Sequence, residues 1–321
     1  MAVASRQSPR VLIVRRDNIG DLVCTTPLID ALRGRFPQGR IAAAVNTYNA
    51  EVLARNPAPD AVFAYEKLKH RTRALVPYLL ERMRVSAALR AERFDCVLVP
   101  AATPQALRLA RAVRAGRVIA LEPAAGDARH EVERTFELGR ELGVEGAPGP
   151  MRVFPDAERT AQLAKELGNG PFAAVHISAR RQAQRWPLER YVRLIAELSS
   201  ERKVMLLWAP GARSDPRHPG DDEAAARIVA DCAGSGVVPV ATADLGSLIS
   251  ALSLAGLVIC PDGGAMHLAA ALGKRVVALF GDSPVERWRP WGVAHRVVRP
   301  ESNDLADLPL EPVLEACRAL A

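Results

Sequence analysis

The feature that most constrains the fold of this chain is a segment near its C-terminal end with the pattern strand, glycine turn, helix, strand. The apolar run 257–260 leads into an Asp-Gly-Gly turn at 262–264, an alanine-rich stretch continues to 273, and a second apolar run covers 276–280. Short apolar runs on either side of a helix are typical of buried parallel strands. The segment therefore predicts an α/β fold in which strands and helices alternate.

The glycine turn also predicts a ligand. A turn at the start of a helix presents backbone N–H groups to an anion, and the helix dipole favours negative charge there. Gly263 and Gly264 have no side chains to keep a phosphate away, and Asp262 and His267 add polar groups at the same end. We interpret the segment as a site for a phosphate-bearing ligand. The alternative, a purely structural role, is the commoner one for glycine turns in doubly wound proteins.

The alternation of strand and helix patterns occurs twice, on either side of a join rich in Pro and Gly at 143–155. It predicts two Rossmann-like domains, 1–150 and 151–321, each with a parallel sheet and with the carboxyl ends of the strands facing a central cleft. The sequence leaves open whether a terminal helix predicted at 310–320 packs back on the N-terminal domain. The predicted strands are 11–14, 40–45, 61–63, 96–99 and 117–120, then 172–177, 204–208, 237–240, 257–260 and 276–280.

The sequence lacks the motifs that several classes of function require. The dinucleotide fingerprint G-x-G-x-x-G does not follow the first strand, and no P-loop occurs, which argues against a dehydrogenase or a P-loop NTPase. The five cysteines have no metal-binding or disulfide spacing, which predicts buried thiols in a reducing compartment and no metal site. No signal-peptide core or membrane-spanning run is present, so we expect a cytoplasmic protein that is still able to touch a membrane surface.

The charge is unevenly distributed. The first 150 residues contain 23 basic and 16 acidic side chains, whereas the remaining residues contain 20 of each. This predicts an anionic partner for the N-terminal half, either an anionic lipid surface or an acidic sugar; the alternative is an ordinary solvated surface. No aromatic residues are interleaved as nucleic-acid stacking requires, so we expect no nucleic-acid partner. The densest basic cluster contains Lys67, Lys69, Arg71, Arg73, Arg82, Arg84, Arg90 and Arg93.

Three further sites hold residues with candidate chemistry. Asp21 follows Gly20 at the start of a helix, where its spacing favours the role of an N-cap over that of a general base. Ser178, Arg181 and Arg185 lie in a loop after a strand, and they fit either a diphosphate site or a solvated basic loop. Asp221 begins a helix and fits either a ribose contact or a plain acidic first turn.

Taken together, these motifs resemble the ADP-heptose:lipopolysaccharide heptosyltransferases, glycosyltransferase family 9. The segment 16–27 is similar to the N-terminal G-D…T-P motif of that family, and 262–273 is similar to its donor-site motif D-x-G-x-x-H-L-x-A-A-L-G. The segment 280–292 resembles the part that follows. The resemblance covers nearly the whole chain.

The resemblance implies a GT-B fold and an inverting transferase that needs no metal and no cofactor, only a nucleotide-sugar substrate such as ADP-heptose. The N-terminal domain would bind the acceptor and the C-terminal domain the donor. Asp21 would be the general base, and Asp221 a ribose or adenosine contact. The other implied donor-site residues are Ser178, Arg181, Arg185, Asp262, Gly263, Gly264 and His267. The implied acceptor-site residues are Lys67, Lys69, Arg71 and Arg73, which would meet an anionic glycolipid at the inner-membrane surface.

One position departs from the family pattern. Family members commonly have a Lys just before the Trp-Pro pair that follows the first C-terminal strand, whereas this chain has Gln184, with Arg181 and Arg185 nearby. Arg is not a geometric equivalent of Lys in holding a diphosphate. The sequence hypothesis is heptose transfer from ADP-heptose to a lipopolysaccharide core acceptor at the cytoplasmic face of the inner membrane. The alternatives are another nucleotide sugar and surface glycan, a sugar-nucleotide epimerase, and a catalytically impaired nucleotide-binding protein.

Overall fold

The computed structural model describes residues 8–66, 75–122, 126–168, 170, 172–215 and 219–321. The chain divides into two compact units, Met1–Phe154 and Pro155–Ala321. Among the helices within these described ranges, none is long and apolar enough to cross a membrane.

The first unit is built on a parallel sheet. Its described strands are β1 (Arg10–Val14), β2 (Arg40–Asn46), β3 (Ala61–Tyr65), β4 (Cys96–Val99) and β5 (Arg117–Ala120). They lie in the order β3-β2-β1-β4-β5, and Ile13 in the centre is opposite Ala43 on β2 and Leu98 on β4. The central strands are buried on both faces, which is why their sequences are almost continuously apolar.

Helices cover this sheet. They are α1 (Ile19–Val23), α2 (Thr26–Arg35), α3 (Leu75–Ala91), α4 (Pro104–Val113) and α5 (Glu131–Arg140). Local sequence fixes several of their ends. In α4, for example, the Oγ1 of Thr103 accepts from the N–H of Ala106 (3.2 Å), Pro104 takes the first turn, and Arg114 ends the helix with a φ of +58°. Leu12 and Val14 pack with Ala106 and Ala110 in the core of this unit.

The second unit is also a covered parallel sheet, in the order β11-β10-β9-β6-β7-β8. Its described strands are β6 (Phe172–His176), β7 (Lys203–Trp208), β8 (Val238–Ala241), β9 (Ala255–Pro261), β10 (Arg275–Leu279) and β11 (His295–Val298). Its described helices are α6 (Ala157–Leu167), α7 (Leu188–Ser199), α8 (Asp222–Asp231), α9 (Leu245–Ser253), α10 (Gly264–Ala271), α11 (Val285–Trp288) and α12 (Glu311–Arg318).

The core of the second unit includes its C-terminal helix. Val313 and Cys317 of α12 are buried against the apolar side of β10 and β11. Trp186 donates from Nε1 to the carbonyl of Leu308 (2.8 Å), and its ring meets Tyr191 edge-on with centroids 4.9 Å apart. These contacts tie the loop after β6 to the C-terminal segment of the same unit.

The strand order reverses direction at one place in each sheet, between β1 and β4 in the first unit and between β6 and β9 in the second. In open parallel sheets, ligands bind beyond the carboxyl ends of the strands at this reversal. The loops that follow β1, β6 and β9 are therefore the expected positions for functional side chains. The α/β fold with two parallel sheets, predicted from the sequence, is confirmed.

Candidate functional site

The glycine turn between β9 and α10 is open on the side where an anion would approach. The N–H of Asp262 donates to the carbonyl of Leu279 (2.8 Å), which fixes the turn to β10. Gly263 has a φ of +157°, and a Cβ placed on it would meet no described atom within 4 Å. A ligand can therefore come close to the first N–H groups of α10, which have no acceptor within the helix.

Asp262 is buried beside this turn and held by two neutral side chains. The Nε2 of Gln184 donates to Oδ2 of Asp262 (2.8 Å) and to Oγ of Ser283 (3.2 Å). Burial raises the pKa of Asp262, while the hydrogen bond from Ser283, the charge of Arg181 and the amide of Gln184 oppose the rise. The family resemblance leads one to expect a lysine at position 184. This chain instead has Gln184, whose buried amide donates a hydrogen bond to the carboxylate of Asp262.

Arg181 lies next to this cluster with its guanidinium half-exposed. It forms an ion pair with Asp282 (3.1 Å) and also donates to Oγ of Ser283. The two loops touch at Gly281, where a Cβ would overlap the carbonyl oxygen of Ala183. A glycine at this position therefore allows the loop after β6 to reach the loop after β10, and it brings Arg181, Ser283 and Asp262 together.

Arg185 and Asp221 form a separate, more deeply buried pair. The Nη1 of Arg185 lies 2.6 Å from Oδ1 of Asp221, and the side chain of Asp221 is 3% exposed. Ser178 connects this part of the unit to the end of β7, because its Oγ accepts from the N–H of Ala209 (2.9 Å). Arg181 and Arg185 were both predicted to contact a diphosphate. Arg185 pairs with the buried carboxylate of Asp221, so Arg181 is the more accessible of the two.

Three buried polar atoms in this region have no hydrogen-bond partner among the described residues: Nδ1 of His176, the hydroxyl of Tyr191 and Oδ2 of Asp221. Burial lowers the pKa of His176 to about 4, despite the opposing charge of Asp221. Burial likewise raises the pKa of Tyr191 and of the Cys260 thiol far above their ordinary values. Near neutral pH these groups are uncharged, so the Arg185–Asp221 pair holds the charge in this part of the core.

His267 lies on α10, one turn after the glycines. Its ring is buried and meets the ring of Trp288 edge-on, with centroids 5.9 Å apart and planes at 76°. Trp288 belongs to α11, in the segment that follows Ser283. The imidazole is thus held at the same end of the sheet as Gly263 and Gly264.

In the first unit, Asp21 lies in the first turn of α1, after the carboxyl end of β1. Its Oδ2 accepts from the backbone N–H and from Nδ2 of Asn18 (3.0 Å each). Its Oδ1 accepts from Nη2 of Arg15 (2.8 Å). The N-cap of α1 is Asn18, and not Asp21 as the spacing favoured, because Asp21 lies at N3 and completes a capping box by accepting from the N-cap backbone. The side chain of Asp21 remains 14% exposed.

Arg15 is the centre of an ion network that the sequence analysis missed. Its buried guanidinium lies 2.8 Å from Asp21 and 2.7 Å from Glu131 on α5. Arg134 extends the network to Glu131 (3.0 Å) and to Asp127 (2.9 Å). Burial alone would lower the pKa of Arg15, but the surrounding carboxylates outweigh it and raise the pKa above its ordinary value. Arg15 is therefore a fixed positive charge beside Asp21.

Sequence reasoning missed Arg15 and Glu131 because charged residues near element ends are usually solvated. One signal was available: Arg15 directly follows a fully apolar strand and precedes the Gly-Asp pair. The predicted acceptor residues Lys67, Lys69, Arg71 and Arg73 lie outside the described residues. Within the part of the chain that is described, no group of three His, Cys, Asp or Glu side chains could hold a metal ion.

Residues 117–311 match the family model for glycosyltransferase family 9 (heptosyltransferase). The chain is 26% identical over 331 residues to lipopolysaccharide heptosyltransferase 1 of Escherichia coli strain K12, covering 97% of this chain and 100% of that relative. It is 23% identical over 296 residues to lipopolysaccharide heptosyltransferase 3 of the same strain, covering 85% of this chain and 82% of the relative.

Two solved structures show the same fold. E. coli heptosyltransferase WaaC with ADP superposes with a TM-score of 0.78 at 21% identity, covering 97% of this chain and 100% of WaaC. The E. coli ADP-heptose lps heptosyltransferase II superposes with a TM-score of 0.77 at 20% identity, covering 97% and 98% of the two chains. The predicted GT-B fold is thereby confirmed.

Proposed function

This chain belongs to glycosyltransferase family 9, the heptosyltransferase family, and from that premise we propose that it transfers a heptose from ADP-heptose to the core of a lipopolysaccharide acceptor. The observation that carries the proposal is the open glycine turn at Gly263 beside the buried carboxylate of Asp262. The turn offers N–H groups to a diphosphate, and the carboxylate offers an acceptor to a sugar hydroxyl.

The donor half of this proposal uses the second unit. The N-terminus of α10 and the guanidinium of Arg181 would share the charge of the ADP diphosphate as it leaves. Arg181 fits this role better than Arg185, because Arg185 is only 16% exposed and pairs with Asp221 at 2.6 Å. The ribose contact predicted for Asp221 remains a prediction; Oδ2 of that carboxylate has no partner among the described residues.

The acceptor half uses Asp21. An acceptor hydroxyl attacks the anomeric carbon, a new C–O bond forms as the bond to ADP breaks, and the hydroxyl proton passes to the carboxylate of Asp21. A single displacement of this kind inverts the anomeric configuration and needs neither a metal nor a cofactor. Arg15 and Asn18 would hold the Asp21 carboxylate in one orientation, at 2.8 Å and 3.0 Å respectively.

The acceptor in this proposal is an anionic glycolipid, and the protein works peripherally at the cytoplasmic face of the inner membrane. The excess of basic residues in the first 150 positions, 23 against 16 acidic ones, supports an anionic partner for that half. The lysines and arginines at 67, 69, 71 and 73 remain the predicted contacts.

Thermal shift with ADP, UDP, GDP and CMP tests the donor assignment first. At about 100 times its dissociation constant, a ligand stabilises the folded protein by about 2.7 kcal/mol. We expect stabilisation by ADP, its loss in Gly263→Ala, and its retention in Gly273→Ala. The two glycines are matched, since both have a positive φ and open space at the Cβ position, but only Gly263 lies at the N-terminus of α10.

A transfer assay completes the test. ADP-heptose and a Kdo-lipid A acceptor should give ADP and a heptosylated product. Stabilisation by UDP or GDP instead of ADP would contradict the ADP-heptose assignment and favour another nucleotide sugar. An interconversion of sugar nucleotides without transfer would favour an epimerase.

One observation supports a second candidate function, a nucleotide-binding protein without turnover. Gln184 is neutral and donates to Asp262 at 2.8 Å, so the expected lysine charge is missing beside the turn. Stabilisation by ADP with no transfer, together with transfer gained in Gln184→Lys, would favour this candidate.

A further inference from the structure

Helix α3 of the first unit exposes a stripe of apolar side chains. Val76, Leu79, Leu80 and Met83 are 66%, 48%, 48% and 68% exposed. Their spacing of three and four residues places them on one face of the helix. We call these four residues the α3 stripe.

The α3 stripe is not the face that holds the helix to its own unit. Leu89 is fully buried and Val85 packs against the core that contains Leu12 and Val97. At 100° per residue, Val85 and Leu89 point away from the stripe. The helix is therefore apolar on two faces, and the described residues leave one of them exposed. A contiguous exposed apolar patch of this kind typically marks an interaction surface.

Charge indicates which partner fits the stripe. At 100° per residue, Arg84 and Arg90 of α3 lie next to the stripe. Arg82, which lies over the ring of Tyr65, and the single acid of the helix, Glu81, lie away from it. An apolar face bordered by arginines is the composition of helices that lie in the interface of an anionic bilayer. A two-fold contact between copies of this chain would instead bring two basic helices together, and the like charges would oppose it.

We propose that the α3 stripe is a membrane-docking surface that inserts its apolar side chains at the boundary between headgroups and acyl chains of an anionic bilayer. The inference rests on the proposed function for its biological purpose, because an acceptor anchored in the membrane requires the enzyme to reach that surface. Its physical basis, an apolar face bordered by arginines, is independent of the sugar transferred.

Vesicle flotation with the full chain tests the proposal. Vesicles of phosphatidylethanolamine and phosphatidylglycerol should carry the protein, vesicles of phosphatidylcholine alone should carry less, and added salt should weaken the binding. Replacing Leu79→Glu together with Met83→Glu should lower the partition coefficient at least about tenfold, because two apolar side chains would become charged ones.

Val118→Glu is the matched control. Val118 is another exposed apolar side chain of the first unit, 41% exposed on β5, and lies outside α3. This change should leave vesicle binding as it is. Thermal melting of each variant checks that the fold is intact, and the milder pair Val76→Ser and Leu80→Ser provides a second measurement should the glutamate pair fail to fold.

The outcomes separate this inference from the proposed function. Equal vesicle binding by the wild-type protein and both stripe variants would overturn the docking surface, even with transfer activity present. A stripe-dependent dimer in light scattering, without vesicle binding, would also overturn it and make the stripe a contact between copies. Stripe-dependent vesicle binding without any transfer would support the docking surface and refute the proposed function. On a deacylated, water-soluble acceptor, we expect the stripe variants to retain wild-type rates.

Discussion

At the scale of single residues, Asp21 combines a structural role with the proposed chemical one. Asp21→Asn keeps the shape of the side chain but removes the base, so we expect kcat to fall by about a thousandfold, within the range typical of general-base removal. ADP should still stabilise the variant, because the proposed donor residues belong to the second unit. The measurement is ADP release at saturating substrates, corrected for folded fraction.

Asp30→Asn is the control for this substitution. Asp30 lies on α2 of the same unit, where it pairs with Arg152 at 3.8 Å, and its loss should leave kcat within about twofold, as expected for a surface ion pair. A normal turnover rate in Asp21→Asn would remove Asp21 from the mechanism and leave it as a helix-capping residue.

His176 makes a prediction about pH. The pKa of this buried imidazole is lowered from 6.5 to about 4, so below about pH 6.5 the unfolded chain takes up a proton that the folded chain refuses. The free energy of unfolding therefore falls by up to ~3 kcal/mol as the pH drops from 6.5 towards 4. Above pH 6.5 the neutral imidazole causes no loss of stability.

The test compares urea unfolding of the wild type and His176→Gln between pH 7 and pH 4. The stability of the variant should fall less steeply with decreasing pH than the stability of the wild type does. Parallel curves for the wild type and His176→Gln would show that the imidazole titrates alike in the folded and unfolded chains.

At the scale of elements, Gly281 determines whether the loop after β6 can lie on the loop after β10. A Cβ on Gly281 would overlap the backbone carbonyl of Ala183, and backbone cannot move aside as a side-chain end does. We expect Gly281→Ala to destabilise the protein by about 1–3 kcal/mol and to weaken ADP binding, because Arg181 and Ser283 would separate. Thermal melting with and without ADP measures both effects.

Gly34→Ala is the control for Gly281→Ala, and we expect it to raise the stability of the protein where Gly281→Ala lowers it. Gly34 lies within α2, and a Cβ there would meet no described atom within 4 Å apart from the backbone of its own helix, so alanine should stabilise the helix by about 0.5–1 kcal/mol. If Gly281→Ala behaved like Gly34→Ala, the close approach of the two loops would not exist in solution.

The elements differ in how well the sequence predicts them. Strands buried on both faces, such as β6 and β9, have continuous apolar runs, and their positions were predicted to within a few residues. The half-exposed edge strand β11 has no such run, because His295 and Arg296 interrupt it. Helix α5 was not predicted from the sequence, because Glu131 and Arg134 occupy buried positions where the periodic pattern requires apolar side chains.

At the scale of the whole molecule, the two units repeat one arrangement of strands, and their candidate residues follow the strands where the order reverses. Asp21 and Asp262 could be chosen as candidates from the sequence because each lies beside a glycine at the start of a helix, and their proposed roles remain predictions. The Arg15–Glu131 pair could not, since its partners are separated by 116 positions and only the folded unit brings them to 2.7 Å. Candidate residues within a short motif can be predicted from the sequence, whereas an ion network formed by residues far apart in the chain cannot.

The division into two units predicts where ADP acts. If the nucleotide binds the second unit alone, hydrogen exchange should slow at the backbone amides of 177–185, 262–270 and 281–283, while the amides of 15–23 in the first unit keep their rates. For amides that exchange only after the ligand leaves, the slowing should reach about a hundredfold at about 100 times the dissociation constant.

UDP at the same concentration is the control ligand for this experiment, and it should slow exchange in neither unit. Slowing confined to residues 15–23 would move the nucleotide site to the first unit and contradict the donor assignment of Asp262 and Gly263. Slowing at 262–270 that disappears in Gly263→Ala but persists in Gly273→Ala would localise the effect to the N-terminus of α10, because the two variants differ only in which end of that helix they change.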